Sequence, residues 1–207
     1  GHLFWSLGAC SVGWNAATPV TKERAGFFAW LPSAEDPLAA VGLSTNRSGT
    51  RINFPAVNFA RVFGTNWPER ARDLTHRQLR ACGVNTMAAW SDESLMRDRR
   101  TPYTLITGIW WPIWRSEGHD QMPEPFDPTF EENVRKSVAD LAWAKDDPWC
   151  LGVFIDNELG WPDNFGEQVL KAPSWQPTKK WAAGQLRGKY GEIAALNAAW
   201  KTSYTNW

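Results

Sequence analysis

The chain has 207 residues, 43% of them apolar, with 22 Lys plus Arg against 22 Asp plus Glu. That is enough apolar material for a substantial core, and no apolar run approaches the roughly 20 residues of a membrane span. Balanced charge supplies no long-range field for nucleic acid, an anionic membrane or a polyanionic substrate, so a neutral partner is expected, with no nucleic acid and no membrane.

The chain opens into Leu3–Leu7, which reads as a strand, without an initiator Met or a leader; it is therefore expected to be cut from a longer protein. Residues 15–67, rich in Gly, Pro, Ser and Asn, are too long for an ordinary connection and are expected to be an irregular insertion or lid. Pro68 to Cys82 predicts a helix with Ala71, Leu74, Ala81 and Cys82 on its buried face, ended by Gly83. A strand over Val84–Ala88 follows. The next strand, Thr104 to Ile109, is stopped by Trp110, Trp111 and Pro112, and its loop runs to about Pro125.

Asp127 and Pro128 read as an N-cap and first helical residue, with Glu131 and Glu132 in the positive first turn and Phe130, Val134, Val138 and Leu141 as the buried stripe. Leu151–Ile155 is a continuous apolar run suited to a strand buried on both faces. An amphipathic helical stretch closes the chain between Tyr190 and Trp207. Cys10, Cys82 and Cys150 lie far apart, which points to small buried apolar residues and to neither disulfides nor zinc. No metal and no cofactor are expected. Strands alternating with helices make this an α/β chain, and four such units fit half of a (β/α)8 TIM barrel.

Barrels of that kind place chemistry at the C-terminal ends of their strands. Here those ends are Gly8–Gly13, Trp90–Glu93, Trp110–Trp114 and Asp156–Glu158. Glu158 is the leading catalytic candidate, because a carboxyl projected from the rim can be partly desolvated and its pKa raised until it donates a proton near neutrality. Capping of a following helix is the competing reading. Gly160, Trp161 and Pro162 argue against an immediate helix start. The 15 tryptophans exceed what a core of Leu, Ile and Val needs, and flat indoles suit the C–H faces of sugars. Trp90, Trp110, Trp111 and Trp161 are candidates for stacking on sugar rings, and Asn15, Asp92 and His119 for bonding hydroxyls. His2 and His76 show no partner that makes a dyad or a metal site.

The stretch from Cys150 to Trp161, with Asn157 and Glu158 after an apolar strand, resembles the strand-four motif of β-agarases and the related β-galactosidases. Those belong to a clan of retaining glycosidases. Three further segments resemble agarases: Gly1 to Gly8 is similar to the opening strand, Asp73 to Thr86 with Trp90 to Asp92 to the first helix and second strand, and Tyr190 to Thr202 to the helix after strand four. The resemblance covers nearly the whole chain and is weakest between Asn15 and Ala60. Cys82 and the stretch Met87, Ala88, Ala89 depart from the agarase pattern, so porphyran or another β-linked galactan remains open as substrate.

The resemblance implies that residues 1–207 are the N-terminal part of a TIM-barrel catalytic domain, about its first four βα units, carrying the insertion at about 15–67. It implies Glu158 as general acid/base, Asn157 as the residue that hydrogen-bonds the sugar 2-hydroxyl, and a nucleophilic Glu outside this chain. Asp92, Glu93, Glu117 and Asp120 are not assigned that role. The partner is then a galactan polysaccharide or oligosaccharide, hydrolysed at its β-galactosidic bonds. The C-terminal half of the barrel is needed, in the same protein or another chain, and the fragment alone is expected to be inactive. Secretion or a periplasmic location follows by analogy. The alternatives are a non-catalytic carbohydrate-binding fragment, a β-galactosidase acting on short galactosides, and a barrel hydrolase of a non-sugar bond.

Overall fold

A computed structural model of the chain describes residues 3–47, 49–108, 113–114, 122–159 and 163–207. In chain order its first elements are β1 (Gly8–Ala9), β2 (Ala17–Val20), α1 (Pro37–Gly42), β3 (Leu43–Asn46), β4 (Gly49–Asn53), α2 (Phe54–Phe63), α3 (Trp67–Ala81), β5 (Thr86–Met87) and α4 (Glu93–Arg97). Then come β6 (Tyr103–Thr107), β7 (Ile113–Trp114), β8 (Met122–Pro123), α5 (Phe130–Ala139), β9 (Cys150–Ile155), α6 (Phe165–Lys171), α7 (Pro177–Tyr190) and α8 (Ile193–Trp200). They form two compact units, Gly1–Ile106 with Asp146–Val153, and Thr107–Lys145 with Phe154–Trp207.

The first unit carries a sheet in the order β1-β5-β6-β9, parallel from β1 to β5 and from β5 to β6. Parallel neighbours need crossovers, which α3 and α4 supply, so the chain has an α/β fold. Tyr103 anchors the sheet. Its buried hydroxyl donates to Asp147 at 2.9 Å, and Asp147 also accepts from the Trp149 amide and from Arg99. The expected strand at Leu3–Leu7 is not formed. Asn85 occupies that backbone instead, its Oδ1 accepting from the Leu7 amide at 2.8 Å and its Nδ2 donating to the Trp5 carbonyl at 2.7 Å. A side-chain amide that satisfies main-chain groups competes with a ladder.

The region 15–67 is not irregular. It holds a three-stranded antiparallel sheet in the order β2-β4-β3, with α1 and α2 beside it. Ile52 is the one buried residue of these three strands, so they carry little alternation from which a sheet could be read. Asp36 and Asn53 cap α1 and α2 by accepting from the amides of Leu38 and Ala56. Trp14 is core: its ring meets Phe59 and Trp67 edge-on at 6.1 and 5.9 Å.

Helix α3 runs where expected but buries Ala71, His76 and Leu79, whereas Ala81 and Cys82 are exposed and Leu74 is half-buried. His76 turns the face. It is held by structural contacts, with Nδ1 at 2.9 Å from the Thr101 hydroxyl and Nε2 at 3.5 Å from Asp98. The cysteines are not buried: Cys10 lies exposed beyond β1, Cys82 exposed at the C-cap of α3, and Cys150 is partly covered at the start of β9.

The second unit contains the β7–β8 hairpin and the helices α5 to α8. Glu124 is buried beside the start of α7 and accepts from the Thr178 hydroxyl, and from Gln176 Nε2 at 3.4 Å. A carboxylate there also meets the positive end of the helix. Phe126 stacks on Trp181 with ring centroids 4.4 Å apart. Asp127 is not the N-cap expected of it: α5 begins at Phe130, two residues later than expected, with Thr129 at its N-cap position, and the Asp127 carboxylate accepts from the amide and hydroxyl of Thr129 in the turn before the helix. The expected stripe is not buried, because Phe130, Val134 and Leu141 are half covered and Val138 is exposed. Strand β9 was expected to be buried on both faces. It is the last strand in its sheet order, and Leu151, Val153, Phe154 and Ile155 are all exposed. Its side chains alternate between the two faces of the sheet, and their exposure means that neither face is covered there.

Candidate active site

The two units hold different candidate residues. In the second unit the Asp156 amide donates to the Thr107 carbonyl at 2.7 Å, so the ladder continues for one step beyond β9. The backbone then changes hand. Asp156 and Glu158 both have positive φ, 58° and 50°. For acidic residues that region is uncommon, and holding each there stores of order 1–3 kcal/mol, a strain that clusters at functional sites. Asp156 and Asn157 are half-buried and Glu158 is exposed, so the expected desolvation of Glu158 is not supplied within this unit. Helix capping does not explain the motif either, because α6 starts only at Phe165 and its N-cap position is Asn164.

In the first unit, Asn15, Trp90 and Asp92 line one cleft of about 270 Å³, together with Ser11, Val12 and Gly13. Asn15 Nδ2 donates to Asp92 Oδ2 at 2.6 Å. The other oxygen, Oδ1, accepts from the Ser94 amide at 2.9 Å and its hydroxyl at 2.6 Å, which makes Asp92 the N-cap of α4. With both oxygens engaged, Asp92 is a fixed acceptor rather than a free base. Glu93 pairs with Arg97 one turn on. Trp90 is more than half exposed and has φ 61°. Gly13 has φ 148°, and a Cβ on it would lie 2.9 Å from the Asp92 Cβ, so only glycine lets the two loops approach.

Trp110, Trp111, His119 and Trp161 lie outside the described residues, as do Glu117 and Asp120. A larger cavity of about 660 Å³ sits in the second unit among Phe126, Phe165, Val169, Trp181 and Trp200. Among the described residues its lining contains no titratable side chain and offers no general acid. The sequence reading placed the stretches Gly8–Gly13 and Trp90–Glu93 at the rim but did not single out Ser11, Gly13 or Ser91. The one signal available was glycine at 8 and 13 after a strand, because main-chain contacts between distant loops leave no periodicity.

No family model matches the chain. Against curated proteins, an alignment covering 100% of the chain is 28% identical to β-agarase B of Vibrio sp. strain JT0107 and spans 26% of that protein. A second, covering 66% of the chain, is 26% identical to β-agarase A of the same strain and spans 16% of it. The chain is thus similar in sequence to β-agarases. Among solved structures, the chain superimposes on one described as an exo-β-agarase with TM-score 0.79 at 28% identity, covering 90% of this chain and 28% of that one. It matches PfGH50B with TM-score 0.81 at 25% identity, covering 96% and 34%. The chain therefore spans about a quarter of the length of the first of these curated relatives.

Proposed function

We propose that this chain belongs to an enzyme that hydrolyses β-galactosidic bonds in a galactan such as agarose, with retention of configuration and with Glu158 as the general acid/base. The observation that carries the reading is the pair of left-handed residues, Asp156 and Glu158, directly beyond an apolar strand. Strain of that kind persists only where the surroundings over-determine it, and here it sets the direction of Asn157 and Glu158. The alignment with a β-agarase along the whole chain supports the same assignment.

In a retaining hydrolysis one carboxyl protonates the departing glycosidic oxygen while a second, about 5 Å away, attacks the anomeric carbon. Glu158 takes the first role and Asn157 donates to the sugar 2-hydroxyl. The nucleophile is a Glu outside this chain. Substrate and the rest of the domain exclude water from around the Glu158 carboxyl. In the first unit, Trp90 offers a flat face to a sugar ring, and Asn15 with Asp92 addresses its hydroxyls. Trp110, Trp111, Trp161 and His119 are assigned to the same substrate. The chain supplies about the first four βα units of a (β/α)8 barrel, with the β2-β4-β3 segment inserted after β1. Residues 1–207 are the N-terminal part of that catalytic domain, and the C-terminal half completes it. A polymeric substrate places the enzyme outside the cytoplasm, secreted or periplasmic.

The test uses the complete enzyme. Glu158→Gln is expected to lower agarose turnover roughly a hundred- to ten-thousandfold, because general acid catalysis contributes about that much. Turnover of a nitrophenyl β-galactoside, whose leaving group needs no proton, is expected to survive. Unchanged hydrolysis of agarose removes Glu158 from the chemistry.

A further inference from the structure

The parallel ladder between β1 and β5 does not stop where the strands do. Beyond the paired residues Gly8–Thr86 and Ala9–Met87, the Ala88 amide donates to the Ala9 carbonyl at 2.8 Å and the Ser11 amide to the Ala89 carbonyl at 2.9 Å. At the next step a main-chain acceptor is replaced by a side chain. The Val12 amide donates to the Ser91 hydroxyl oxygen at 3.0 Å, and the ladder then closes with the Asp92 amide on the Val12 carbonyl at 2.7 Å. Trp90 is the residue left out. Its backbone turns left-handed, its ring stands more than half exposed, and it lines the cleft with Asn15 and Asp92.

An extra residue pushed out of a ladder is a bulge, and bulges beside active sites re-aim side chains. What holds this one is local and identifiable. The Ser91 hydroxyl accepts from Val12 and in turn donates to the Ala88 carbonyl at 2.7 Å, so it bridges the two loops and closes the turn that contains Trp90. Gly13 permits the chain to pass against Asp92 on the far side. Without the hydroxyl, the Val12 amide loses its acceptor and nothing spans Ala88 to Ser91 except one long main-chain bond of 3.3 Å.

We propose that Ser91 is a positioning residue of the sugar cleft, its hydroxyl standing in for a main-chain acceptor so that Trp90 is held out of the ladder as a platform for one ring of the galactan. This rests on the reading of Trp90 given under the proposed function. Ser91 touches no substrate; its effect passes through the indole.

The experiment is a double-mutant cycle in the complete enzyme, with KM and kcat measured on agarose oligosaccharides for Trp90→Ala, Ser91→Ala and the pair. Each single substitution is expected to raise KM about tenfold, the size of one lost anchor contact, with kcat little changed. Ser91→Ala added to Trp90→Ala is expected to raise KM less than about twofold further, since interacting residues are non-additive. Ser91→Thr, which keeps the hydroxyl, is expected to restore KM. If Ser91→Ala melts before it can be assayed, Ser91→Cys fills the same space with a poor acceptor and gives the same comparison. Fold-changes that multiply, or a Ser91→Ala enzyme with normal KM beside an impaired Trp90→Ala enzyme, overturn the role of Ser91 and leave the platform standing. An unaffected Trp90→Ala enzyme overturns the platform itself, and the role of Ser91 with it.

Discussion

His76 is fully buried on α3 between a hydroxyl and a carboxylate, and its Nε2 lies at 3.5 Å from Asp98, an electrostatic contact too long for a hydrogen bond. Burial holds its pKa below the ordinary value of 6.5, and the Arg100 charge adds to that, while Asp98 opposes it. Arg72 pairs with the same Asp98, and Arg80 also disfavours the charged ring. An imidazole that stays neutral in the folded chain binds fewer protons than it does unfolded, so its contribution is intact above pH 6.5 and declines as the pH falls below that value towards the lower folded one. Thermal unfolding between pH 7 and pH 5 is expected to show that loss in the wild type and a flatter profile in His76→Gln; parallel profiles would count against the linkage. No periodicity marks His76, because the apolar stripe read from the sequence is centred on Leu74 and Ala81. Its two partners sit 22 and 25 residues further along the chain.

Helices α1 and α2 meet through a glycine. A Cβ on Gly42 would lie 2.3 Å from Val57 Cγ2, and Val57 is fully buried, so it has nowhere to retreat. Gly42→Ala is expected to destabilise the first unit by about 1–3 kcal/mol, the usual range for overpacking, and Val57→Ala in the same chain to recover part of it. Urea unfolding of the single and double variants checks both statements. Neither helix was read from the sequence, which treats residues 15–67 as irregular. The caps at Asp36 and Asn53, each followed by a proline at the first or second helical position, were nonetheless present to be read. Helix α3 was legible because it is long and amphipathic, and α5 because acidic residues open it. Their faces were not, since each is set by what it packs on.

At the scale of the molecule the uncovered β9 decides behaviour. Val153, Phe154 and Ile155 present an apolar edge to solvent, which is a template for association. The 207-residue chain alone is expected to self-associate with rising concentration and to leave agarose intact; a monomeric sedimentation profile, or hydrolysis, would contradict this. The apolar run Leu151–Ile155 was enough to place a strand, and alternation of strands with helices was enough to give an α/β chain with parallel neighbours. Those features are local, written in composition and spacing over a few residues. Glu158 stood out for the same reason, as a carboxylate at the end of such a run. Only the tertiary structure decided that Asp156 and Glu158 turn left-handed, that Asn15 reaches Asp92, and that Ser91 replaces a carbonyl so that Trp90 leaves the ladder. Each of these joins or orients groups by contacts between segments far apart in the chain, and such contacts have no period to be read.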